Sequence, residues 1–92
     1  MSYKVETQHR RPIYRKGDLE DELAVIDCKV FKTRKEAKSY IESKLRNYRK
    51  VTRDYHKGNT PSSCVAWTGK EWQHENAGHM CSEYYRYILS KL

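Results

Sequence analysis

Residues 33–57, TRKEAKSYIESKLRNYRKVTRDYHK, constrain the fold more than any other stretch of this chain. At about 100° per residue, Ala37, Tyr40, Ile41, Leu45, Tyr48, Val51 and Tyr55 fall within an arc of roughly 140°, the stripe of a helix lying on a core. Lys35, Lys38, Arg46, Arg49, Lys50, Arg53 and Lys57 take the other side, with Glu42 the one acid among them. Thr33 followed by Glu36 three residues later is a capping box, so the start of the helix is marked as well as its face. The pattern predicts a helix from Thr33 that ends between Lys50 and Lys57, with Gly58-Asn59 as the stop. Lys44 falls near the middle of the apolar arc. It either snorkels along its aliphatic stem or reaches through a gap between helix and sheet.

A helix face with so few acids repels itself, because Arg46, Arg49, Lys50 and Arg53 follow at helical spacing with little i,i+4 compensation. Phosphates relieve that repulsion, and arginine binds them bidentately. The alternative is a solvated face that keeps the chain soluble. Net charge is +7 and it is unevenly spread. Residues 1–16 carry five bases and one acid, residues 17–28 five acids and no base, and residues 29–57 eleven bases and three acids. Basic blocks flanking an acidic one are the electrostatic footprint of a nucleic-acid partner.

Upstream of the helix, Tyr3, Val5 and Thr7 alternate with polar residues as a half-buried strand does. Pro12 restricts the following basic segment to an edge strand, a bulge or an arm. There Arg10, Arg11 and Arg15 interleave with Tyr14 as a second candidate phosphate and stacking surface. Gly17–Glu22 is expected as an acidic loop, either solvated or competing with nucleic acid for basic surface. In Leu23–Lys32 the residues Ala24, Ile26, Cys28 and Val30 make one apolar face, expected to lie under the helix. Downstream, Cys64–Thr68 and Glu71–His74 are expected as a hairpin across Gly69-Lys70, with Trp67 opposite Trp72 and Val65 opposite His74. From Met80 to Leu92 a second helix is expected, capped by Asn76, with Cys81, Tyr84, Tyr85, Ile88 and Leu92 as its stripe. The predicted architecture is a single α+β domain over residues 1–92 in the order ββαββα. An antiparallel four-stranded sheet carries both helices on one face.

At 92 residues, with a mean hydropathy of −1.07, the chain affords a thin two-layer core rather than a deep substrate cleft. No catalytic signature, cofactor motif or calcium-loop order is present. Cys64, His74, His79 and Cys81 contain the donor types of a zinc site without its paired spacing. His56 beside Asp54, or His9 beside Arg10 and Arg11, has the residue types of a ribonuclease without a phosphate loop. Three scattered cysteines and no apolar run of membrane-spanning length lead to the expectation of a cytoplasmic protein with reduced thiols.

The stretch Val30-Phe31-Lys32-Thr33-Arg34-Lys35-Glu36-Ala37 resembles the strand-to-helix segments of small basic accessory proteins of T4-like phages. That resemblance implies a non-enzymatic host-takeover or anti-defence role in the host cytoplasm, such as RNA-binding inhibition of a ribonuclease toxin. Read together, the residues and the resemblance predict a non-catalytic RNA-binding protein without metal or cofactor. Its contacts are Lys35, Lys38, Arg46, Arg49, Lys50, Arg53 and Lys57, continued by Arg10, Arg11 and Arg15. The alternatives are a protein-only inhibitor docking on an acidic partner, and a small ribonuclease.

Overall fold

A computed structural model describes residues 2–73 and 80–92, apart from the side chain of Asp18. Thr33 opens the helix as its spacing predicts, its Oγ1 accepting from the Glu36 backbone N–H at 3.1 Å. The helix, α1, spans Arg34–Leu45 and no more. On either side of it the chain is extended: β1 Tyr3–Arg15, β2 Asp18–Phe31, β3 Lys50–Asp54, β4 Ser62–Gln73 and β5 Met80–Lys91. All five strands join one antiparallel sheet in the order β2-β1-β5-β4-β3, with α1 crossing one face from β2 to β3.

This corrects the expected four-stranded sheet with two helices. The 80–91 segment is a central strand, because Tyr84, Tyr85, Tyr87 and Ile88 are strong strand formers with neighbours on both sides. The expected hairpin across Gly69-Lys70 is also replaced. Residues 62–73 run on as one strand with an irregularity between Trp67 and Glu71, where Gly69 adopts a φ of +86°. A glycine at positive φ suits a bulge as well as a turn. Trp67 therefore lies opposite Tyr84 and Lys50, and Trp72 lies opposite Cys81. The expected roles of His74, Asn76 and His79 lie outside the described residues.

The core sits between α1 and the sheet. Ala37, Ile41 and Leu45 bury against Val5, Cys64, Ala66, Tyr87 and Leu89. Tyr48, Val51 and Tyr55 also reach this core, from the connection after α1 and from the β3 region rather than from further helical turns. The expected partner face on β2 does not lie under the helix. Ile26 is 52% and Val30 is 62% exposed, and Cys28 is exposed. A bulge in β2, opposite Thr7/Gln8, makes Ile26 an extra residue and shifts the alternation. Asp27, Lys29 and Phe31, opposite Thr7, Val5 and Tyr3, are the β2 residues on the helix side.

Beyond Arg10, the last β1 residue paired with β5, β1 and β2 continue alone to a two-residue turn at Lys16-Gly17. Both turn residues have positive φ, 52° and 84°, which matches the twist of a tight hairpin. Pro12 falls in this projecting ribbon, where β1 has no second neighbour to lose a hydrogen bond to.

Candidate nucleic-acid interface

No described helix or strand packs on the face of the sheet opposite α1, where Val65 and Tyr84 are nonetheless buried, at 9% and 8% exposure, among neighbouring side chains. Strand alternation and register place Leu23, Arg10, Tyr84, Trp67 and Lys50 in one row across all five strands. Val25, Gln8, Arg86, Val65 and Thr52 form the next row. In the first row two rings, Tyr84 and Trp67, lie between two cations, Arg10 and Lys50. Lys50 Nζ stands 5.2 Å from the Trp67 ring centroid, and Trp67 meets Tyr84 edge-on at 5.2 Å. The Arg10 and Arg86 guanidinium carbons lie 5.7 and 5.4 Å from the Tyr84 centroid. Cation–π contacts hold these charges on the face while leaving their hydrogen-bond donors directed elsewhere.

Three nitrogen donors of β4 and β5, Arg86 Nε, Trp67 Nε1 and Trp72 Nε1, are buried and have no hydrogen-bond partner among the described residues. A buried unpaired donor costs about 1–3 kcal/mol, a cost that water or a bound acceptor relieves. At the β3–β4 corner this face runs into a notch of about 330 Å³, lined by Arg49, Lys50, Trp67 and Lys70 among others. The notch exists because β3 begins only at Lys50, leaving the β4 edge past Trp67 without a strand beside it.

The candidate contacts named from the sequence separate into two groups. Lys35 and Lys38 lie on α1, Arg46 caps its C-terminus, Arg49 and Lys50 border the notch, and Lys57 lies in the β3–β4 connection. These six are exposed and, among the described residues, form no ion pair. They are not one helix face, since α1 stops before Arg46. Lys38 instead places its Nζ 4.5 Å from the Tyr55 ring centroid.

The second group is already paired with acids, four arginines to three carboxylates. Arg53 Nε lies 3.0 Å from both Glu42 carboxylate oxygens. Arg10 bonds Asp21 at 2.7 Å, and Arg11 and Arg15 approach Glu22 at 3.2 and 3.9 Å. The acidic stretch is thus the second strand of the projecting ribbon and occupies the arginines of the first. Arg86 and Lys70 are what the sequence reading missed as candidates for contact, whereas Trp67 was legible as either core or a stacking platform. The run of aromatic residues around Arg86 was the available signal.

The described residues considered for zinc and ribonuclease chemistry are spread over the sheet. Cys64 sits in the core opposite Tyr87, six residues along β5 from Cys81, or about 20 Å at strand rise, so the two cannot share a zinc ion. Among the described residues no group of three or more metal-ligating side chains converges. His56 pairs with Asp54 at 3.1 Å, and both are exposed. His9 Nε2 bonds Glu83 at 2.9 Å and its ring stacks on Tyr85 at 4.3 Å. No described helix is long and apolar enough to cross a membrane. No protein-family model, curated protein or solved structure matches the chain.

Proposed function

We propose that this chain is a non-catalytic protein that binds single-stranded RNA. On this reading bases stack on the uncovered sheet face around Trp67, and phosphates run along Arg49, Lys50, Lys70 and Arg86. The observation that carries it is the row of cations and rings across the sheet, with the buried, unpaired Trp67 Nε1 within it and Arg86 Nε in the neighbouring row. Single strands are held by this combination of aromatic platforms and cations, and phosphate oxygens supply acceptors. Lys35, Lys38, Arg46 and Lys57 extend the positive surface on the helix side. The resemblance to phage accessory proteins supports a use for such binding, the inhibition of a nucleic-acid enzyme such as a ribonuclease toxin through its RNA.

The test is fluorescence anisotropy on a labelled single-stranded RNA across a salt series. Trp67→Ala should lower affinity by about 5- to 150-fold, the loss of one stacked base. Arg49→Glu with Lys50→Glu should flatten the salt slope by about 0.7 per lost phosphate contact. Folded variants that bind as the parent does would rule the reading out.

A second reading has its own observation. Leu23, Val25 and Val30, at 49%, 59% and 62% exposure, line the same open face along the edge strand β2 beside exposed Cys28. In so polar a chain this strip suits a protein contact. An inhibitor acting through protein alone would lose activity on Val25→Lys and retain it on Trp67→Ala.

A further inference from the structure

On the other face of the sheet, α1 does not close fully onto β1 and β2. A hollow of about 310 Å³ remains, at the lower end of small-ligand pockets and suited to a single base. Thr7 and Tyr87, 5% and 4% exposed, are its most buried lining residues. Tyr40, Tyr48 and Tyr85 add aromatic surface, and Asp27 and Lys44 are its charged groups. Asn47 and Tyr48 line both this hollow and the notch at the β3–β4 corner, so one strand of RNA can reach from one to the other.

Its polar groups are incompletely paired. Thr7 Oγ1 is buried beside the Tyr40 hydroxyl, to which it makes no more than a weak hydrogen bond. Asp27 accepts the Tyr40 hydroxyl on Oδ2 at 3.1 Å, while its Oδ1 accepts from no described group. Lys44 is exposed, with its Nζ 5.3 Å from the Tyr40 ring centroid. It is the lysine whose place in the apolar arc the sequence left open.

We propose that this hollow receives a guanine base of the bound RNA, with N1–H and the N2 amine donating to the Asp27 carboxylate. The inference rests on the RNA-binding reading and deepens it. A carboxylate only accepts, and guanine alone among the four bases offers two adjacent donors on its Watson–Crick edge. Adenine and cytosine set one donor beside an acceptor, and uracil flanks its donor with acceptors. The Thr7 hydroxyl backs the Tyr40 hydroxyl that orients Asp27, and Lys44 meets the phosphate. A bidentate pair of this kind discriminates by about tenfold to a hundredfold.

The experiment titrates the protein with GMP, AMP, CMP and UMP, followed by calorimetry and by amide NMR shifts. It repeats this with an eight-nucleotide uridine strand carrying one guanosine, and with the all-uridine strand. GMP should bind at least tenfold more tightly than the other mononucleotides and shift Thr7, Asp27 and Tyr40. The guanosine strand should exceed the all-uridine strand similarly. Asp27→Asn, which keeps an acceptor for Tyr40, should abolish the preference, and Thr7→Val should weaken it in a folded protein. Lys44→Ala should weaken all nucleotides alike. Equal binding of the four mononucleotides, or a guanine preference that survives Asp27→Asn, overturns the assignment. If the strands still bind through Trp67, only the hollow is reassigned and the RNA reading stands. GMP binding without strand binding makes a free guanine nucleotide the ligand and overturns the proposal together with the RNA reading.

Discussion

Arg53 on β3 is held by Glu42 on α1, its Nε 3.0 Å from each carboxylate oxygen, and this pair fixes the edge strand to the helix. Tyr55 completes the arrangement by donating its hydroxyl to Glu42 at 2.6 Å. Bonding from Arg53, and then from Tyr55, holds the Glu42 carboxyl below its ordinary value of 4.5. A carboxylate with a depressed folded-state pKa contributes stability that is full above its unfolded value and is lost as pH falls through the folded one. Acid unfolding, followed by circular dichroism, should therefore begin below pH 4.5. Arg53→Ala should move its onset upward while leaving RNA affinity almost unchanged.

At the alkaline end the tyrosines control stability. Burial, with smaller contributions from Tyr48, Tyr40 and Tyr85, pushes the Tyr87 phenol up to about 12, and burial also raises Tyr40, Tyr48 and Tyr55. For a group raised above its unfolded value of 10, the neutral form is the stabilising one. That stability is complete below pH 10 and is lost as pH climbs towards 12. Phenolate absorbance should rise in two stages, exposed tyrosines first, with the second stage coinciding with loss of ellipticity. Tyr87→Phe should delay the unfolding by removing one raised phenol.

The start of α1 was legible because a cap is local chemistry: Thr33 and Glu36 settle it between themselves. Its end was not, because Tyr48, Val51 and Tyr55 satisfy helical spacing, while Val51, Arg53 and Tyr55 also satisfy strand alternation. Tertiary packing chose the latter, and Asn47 after Leu45 with the β-branched Val51-Thr52 pair was the local signal for it. In β5 the trouble is that Tyr84 and Tyr85 bury on opposite faces, which erases the two-residue period and imitates a helical stripe. The basic residues were legible as a population. Which of them are already paired with acids depends on cross-strand pairs such as Arg10–Asp21, set by a register that only the folded sheet supplies.

The three thiols are free and differ in access. Cys28 is exposed on β2, Cys64 is wholly buried, and Cys81 is 4% exposed with the Arg10 guanidinium 3.6 Å away. A thiol-reactive probe should modify one cysteine rapidly in the native protein and three in denaturant. Peptide mapping should place the fast site at Cys28, and Cys28→Ser should remove it without affecting stability.

The two faces of the sheet should differ sharply in mutational cost, which tests the corrected account of β2. Ile41 is fully buried between α1 and the sheet, so Ile41→Ala should cost about 2–5 kcal/mol in urea unfolding through lost burial and the cavity left behind. Val25 and Val30 are as apolar in sequence but 59% and 62% exposed, so Val25→Thr and Val30→Thr should each change stability by less than about 0.5 kcal/mol. Had β2 presented Ala24, Ile26, Cys28 and Val30 to the helix, Val30→Thr would bury an unpaired hydroxyl and cost about 1–3 kcal/mol. Near-neutral threonine variants with a crippled Ile41→Ala would leave the strip accessible to a partner. A large loss from Val30→Thr in the isolated monomer would mean that this face is covered within the chain, and the uncovered-face interface would fall with it.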